Sequence, residues 1–106
     1  MGIDQTVIDE IVHRVTSVVP AERIILFGSA ATGRMTEDSD IDLLVLETAP
    51  GDRRKESLRI HDALRGLGYP FDVIVIESDW FEASKNVIGG IAYPANKYGR
   101  VIFEAA

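Results

Sequence analysis

Cysteine is missing from the chain, so disulfide staples and thiolate metal sites are excluded, and the sequence carries no mark of an oxidising compartment. Long apolar runs are missing too: none approaches the roughly 20 residues that a membrane span needs. The opening MGIDQTVIDE places acids where a signal peptide carries basic residues. These absences set the expectation of a soluble, cytoplasmic protein without membrane contact. Basic residues are scarce: 11 Lys and Arg stand against 17 Asp and Glu, for a formal charge of −6 and a pI near 4.8. Direct binding of nucleic acid is thereby disfavoured, because phosphate contacts require surplus cations. A small anionic ligand is not, since magnesium and a few backbone N–H groups can hold phosphates on an acidic protein.

What is present is a globular composition, 46% hydrophobic and 26% charged over 106 residues, enough for one core in one domain spanning residues 1–106. Val7, Ile8, Ile11, Val15, Val18 and Val19 recur at helical spacing, with Asp4 as cap and Pro20 as stop. ERIILF (22–27), IDLLVL (41–46) and FDVIVI (71–76) are short, β-rich runs and read as strands. From Asp52 to about Leu67 helix formers dominate; Leu58, Ile60, Ala63, Leu64 and Leu67 make a loose apolar stripe, and Gly66 and Gly68 mark the end. Ser78 is expected to cap a short helix carrying Trp80 and Phe81. IAYPANKYG is interrupted by Pro94, and RVIFE could close the sheet. Strand and helix alternate, so the class is α/β or α+β, a small mixed sheet flanked by helices.

The chemistry concentrates in GSAATGRMTEDSDID, residues 28–42. Gly28 to Gly33 fits the GxxxxG of a Walker phosphate loop, but Arg34 and Met35 stand where that loop needs Lys and Ser or Thr. An EF-hand loop begun at Asp38 fails twice, with Leu43 where a turn glycine belongs and Ala49 where a bidentate Glu belongs. A third reading treats Gly28, Ser29, Asp40 and Asp42 as one unit. Gly28 permits close approach of backbone to ligand, and Ser29 offers a hydroxyl and neighbouring N–H groups to phosphate oxygens. Asp40 and Asp42, two apart at the head of a strand, project to one face while Ile41 and Leu43 enter the other. Paired carboxylates at the end of a buried strand repel unless a cation lies between them, and a hard ion such as Mg2+ suits oxygen ligands. Asp72 opens its strand as Asp42 opens the other. Adjacent strands would bring three carboxylates together, a set that can serve two metal ions in transfer to a hydroxyl.

Taken whole, LFGSAATGRMTEDSDIDLLVL resembles the signature of the minimal nucleotidyltransferase domains of the DNA polymerase β superfamily. The third strand with its Asp, the short aromatic helix and the GRVIFE ending extend the likeness over nearly the whole chain. The resemblance implies a palm-like fold, with Asp40, Asp42 and Asp72 as catalytic metal ligands and Gly28 and Ser29 holding nucleotide phosphates. It implies Mg2+, one or two ions, with ATP or another nucleoside triphosphate as substrate and AMP passed to a hydroxyl. It also implies a protein partner, because small members of the family often pair with a helical toxin of the HEPN type and act as its antitoxin by modifying a partner tyrosine. The pattern departs at Ala30 and Thr32, where many relatives carry arginines. The alternative is a non-catalytic module that neutralises or scaffolds a partner by surface contact.

Other features read as structural. Glu37 and Asp38 are expected to be solvated loop acids, and Arg53, Arg54, Lys55 and Arg59 an exposed helix face. His13 and His61 have no partners in sequence and suit surface or core-edge positions. Trp80, Phe81, Tyr93 and Tyr98 are expected to pack over the sheet or at a subunit contact.

Overall fold

A computed structural model describes residues 3–33 and 39–106; Arg34, Met35, Glu37 and Asp38, named above, lie outside the described residues. Elements run α1 (Gln5–Val18), β1 (Arg23–Phe27), α2 (Ser29–Thr32), β2 (Ile41–Glu47), α3 (Arg53–Ala63), β3 (Phe71–Glu77), α4 (Ser78–Ser84), α5 (Ala92–Tyr98) and β4 (Arg100–Glu104). The described residues form a four-stranded sheet in the order β3-β2-β1-β4. β2 and β3 run parallel across the α3 crossover, while β1 is antiparallel to both β2 and β4. The mixed α/β class expected from the sequence is the one observed.

Local chemistry explains the main boundaries. Asp4 caps α1 by accepting from the Thr6 N–H at 2.9 Å, and Ile8, Ile11 and Val15 form its buried stripe. Asp52 caps α3 by accepting from the N–H groups of Arg54 and Lys55. This cap opposes the unfavourable placement of Arg53, Arg54 and Lys55 at the positive end of a helix dipole. All three of those cations are exposed, as is Arg59. At the other end, Arg14 of α1 donates to the carbonyls of Ala63 and Arg65, at 3.2 and 2.7 Å, tying the two helices together where α3 runs out of hydrogen-bond partners.

The sheet is covered on both faces. Ile41, Leu43 and Val45 of β2 join Ile11, Val15, Ile60 and Leu64 in one apolar cluster, and Leu44 and Leu46 join Ile25, Ile76, Phe81, Ala92 and Ala95 in the other. Central β2 is therefore buried on both sides, which is why its sequence reads as an unbroken apolar run. Phe81 is completely buried.

Several expectations are corrected. Leu58 is exposed rather than part of the α3 stripe, because it falls on the solvent side of a helix ending at Ala63, not near Leu67. Ser78 does not cap α4; Glu77 holds that position, and the Ser78 hydroxyl instead donates to Glu22 at 2.6 Å. Pro94 does not break the chain, because it sits in the first turn of α5, where its missing N–H has no helical partner to lose. Of the four aromatics expected over the sheet or at a subunit contact, Phe81 is buried and Tyr93 half-buried, while Trp80 and Tyr98 are exposed and so do not pack over the sheet.

Candidate active site

The C-terminal end of β1 and the starts of β2 and β3 meet at one end of the sheet. Antiparallel pairing sets Phe27 opposite Asp42, and parallel pairing sets Asp42 opposite Asp72. Register partners on adjacent strands project to the same face. Asp42 and Asp72 thus lie side by side, on the face carrying Leu44, Leu46, Ile74 and Ile76 further along.

Asp42 is half-buried, whereas Asp40 and Asp72 are exposed. Burial, followed by the charges of Asp72 and then Asp40, pushes the Asp42 carboxyl above its ordinary range. Each neighbour is therefore close enough to oppose its ionisation. The three nevertheless form an open arrangement: among the described residues no group of three His, Cys, Asp or Glu is gathered as a ready metal cage.

Gly28 completes the site from the β1 side. Its backbone adopts φ 70° and ψ −150°, a region essentially reserved for glycine, and a Cβ there would overlap Oδ2 of Asp42. The glycine is thus required twice, by torsion and by space, and its bare backbone forms the wall against which the central carboxylate rests. Ser29 follows at the start of α2, half-buried. The Gly28 carbonyl accepts from the N–H groups of Ala31 and Thr32 at 3.2 and 3.3 Å, which fixes the turn.

The departure at Ala30 and Thr32 acquires a structural reason. Ala30 is buried in the core cluster shared with α1 and α3, so a side chain there points away from the site. Thr32 is exposed, and its hydroxyl donates back to the carbonyls of Gly28 and Ser29. The site residues named from sequence therefore share one end of the sheet, with Asp40 at its solvent edge.

A donor set made only of carboxylate oxygens, with the central one partly desolvated and repelled by both others, fits a hard divalent cation. Sequence reasoning missed an apolar hollow beside Gly28, built by Ile91, Pro94 and Tyr98 with Phe27. Its residues are scattered in sequence and carry no motif. A separate polar hollow of about 310 Å3 lies at the opposite end of the strands. There Glu22 accepts from Thr48 and Ser78, and Arg23 pairs with Glu82 and Glu104, so these groups already satisfy one another.

Residues 8–93 match the nucleotidyltransferase domain family, and the chain belongs to that family. None of the curated proteins matches it significantly. Among solved structures it is similar to a protein from Sulfolobus solfataricus assigned as a nucleotidyltransferase, with 22% identity and a TM-score of 0.63 over 93% of this chain and 78% of that one. It is also similar to a chain from a toxin–antitoxin structure with AMP-PNP, with 20% identity and a TM-score of 0.64 over 92% of this chain and 73% of that one. At these identities the likeness establishes a common fold.

Proposed function

We propose that the protein is a magnesium-dependent nucleotidyltransferase that moves AMP from ATP to a hydroxyl on a partner protein, and that it serves as the antitoxin of a toxin–antitoxin pair. The observation that carries this reading is the pairing of Asp42 with Asp72 in register, with Gly28 held bare against Asp42. Family membership supports the reaction class, and the neighbour described as a toxin–antitoxin with AMP-PNP supports the nucleotide and the pairing. The partner is proposed to be a helical toxin of the HEPN type and the acceptor its tyrosine.

In this mechanism Asp40, Asp42 and Asp72 would hold the divalent ion, which when bound neutralises phosphate charge and lowers the pKa of the attacking hydroxyl. Gly28 and Ser29 hold the triphosphate beside these acids. Asp72, the exposed member at the β3 side, receives the acceptor and takes its proton. The acceptor oxygen forms a bond to the α-phosphorus as the bond from that phosphorus to the bridging oxygen breaks, and pyrophosphate leaves. Positioning and charge stabilisation supply most of the rate in such phosphoryl chemistry.

The test is incubation of the protein with Mg2+, α-labelled ATP and a candidate helical partner. Label on the partner tyrosine, lost with Asp42→Asn, supports the proposal. Tight partner binding with no label transfer, unchanged by Asp42→Asn, supports the non-catalytic module instead.

A further inference from the structure

Beside Gly28 lies an apolar hollow of about 430 Å3, lined by Phe27, Gly28, Thr32, Ile91, Pro94 and Tyr98. None of these six carries a charge. Phe27 and Gly28 finish β1 and enter α2, Thr32 ends α2, and the other three come from α5 and its cap. Pro94 and Tyr98 are four residues apart on α5 and so share a face. Tyr98 leaves 59% of its surface exposed, so its ring is open to a ligand seated in the hollow. The Lys97 ammonium lies 5.4 Å from the Tyr98 ring centroid, a cation–π contact that helps hold the ring in place.

The order of the strands says which substrate this hollow serves. With the sheet running β3-β2-β1, Asp72 stands on one side of Asp42 and the hollow opens on the other, next to the Gly28–Ser29 turn. An acceptor activated by Asp72 arrives from the β3 side. A nucleotide whose phosphates rest at Gly28 and Ser29 extends its flat, apolar end toward β1 and α5. The volume is in the range of small-molecule sites, and its uncharged wall suits an aromatic ring better than phosphate.

We infer that the hollow takes the nucleobase of the triphosphate, stacked on Tyr98, and that it reads the flatness of the base rather than its hydrogen-bond pattern. This rests on the nucleotidyltransferase reading and extends it to base selection. Among the described residues the wall holds no amide or charged side chain, so adenine and guanine are held alike; stacking tolerates any base because every base has a π face.

The test is titration calorimetry, with Mg2+, of the full chain and its Tyr98→Ala and Tyr98→Phe variants against ATP, GTP and inorganic tripolyphosphate. Tyr98 is exposed, so the variants should fold, which circular dichroism checks. The expected result is ATP and GTP within a few-fold of each other, weakened roughly tenfold or more by Tyr98→Ala and retained by Tyr98→Phe. Tripolyphosphate binding should stay the same in all three proteins. The base assignment is overturned if Tyr98→Ala leaves ATP unchanged, if it weakens tripolyphosphate equally, or if it impairs only transfer to the acceptor. In each of those cases the unaltered chain still binds tripolyphosphate, so the nucleotide reading stands. If the unaltered chain binds neither ATP nor tripolyphosphate, the nucleotide reading itself falls.

Discussion

Asp42 and Asp72 face the same way from adjacent parallel strands at matching register, and the charge of Asp72 adds to burial in making Asp42 harder to ionise. Two acids so placed repel one another and favour a cation between them.

Replacing Asp42 with Asn separates those two effects. Because the folded pKa of Asp42 is raised, its ionised form opposes folding above the ordinary carboxylate pKa, and that cost disappears as pH falls below it. In metal-free buffer near neutral pH, Asp42→Asn should therefore unfold at equal or higher temperature than the parent. Its transfer activity should fall by about a hundredfold or more, as when a group stabilising developing charge is lost. A clear loss of thermal stability would contradict the electrostatic account.

Gly28→Ala tests the close approach. The added Cβ meets Oδ2 of Asp42, and the φ of 70° is strained for any side chain. Denaturant unfolding should show a loss of about 1–3 kcal/mol. Calorimetry with manganese should show weakened binding, because Asp42 must move. The same substitution at Gly51, also at positive φ but with open space around it, should cost stability without touching metal affinity.

Glu47 makes a prediction far from the site. It ends β2 only 1% exposed, and neither oxygen reaches a partner with good hydrogen-bond geometry. Burial first, then the adjacent Glu56 carboxyl, pushes it up to about 7, with Arg59 working the other way. A raised folded pKa means the stabilising contribution is complete below about 4.5, declines as pH rises toward 7, and is flat beyond. Glu47→Gln should flatten that decline and gain up to roughly 3 kcal/mol near pH 8. Melting curves of both proteins across this range, diverging only above about pH 5, are the expected outcome.

Phe81→Ala should be the most damaging core change on the α4–α5 face. The side chain is fully buried among Ile25, Leu44, Leu46 and Ile76, and its loss should cost about 3–5 kcal/mol. The neighbouring Trp80, the only tryptophan in the chain and half-exposed, gives a fluorescence signal for the measurement.

Much of this organisation was legible before any coordinates. The strand cores, the Asp4 cap and the start of α3 at Asp52 follow from periodicity and end chemistry, which depend on neighbours a few residues apart. The Gly28–Ser29 step and the Asp40–Asp42 pair were legible because their spacing forces them to consecutive element ends. Ser78 misled because a serine before a helix looks like a cap in sequence, while Glu22, 56 residues away, takes its hydroxyl in the fold. Leu58 misled because an apolar side chain near the start of a stripe can still face solvent, and α5 was obscured by a proline whose position in the first turn makes it harmless.

The sequence alone determined the strand cores, helices α1 and α3, the acidic balance and the acids at the heads of β2 and β3, since these are set by local backbone preference and side-chain chemistry. Only the tertiary structure decided that β3 lies beside β2 in register, so that Asp72 joins Asp42, and that α5 folds back beside Gly28 to border an apolar hollow. Strand order and helix docking are settled by burying apolar faces from distant parts of the chain, and no local pattern encodes which faces will meet.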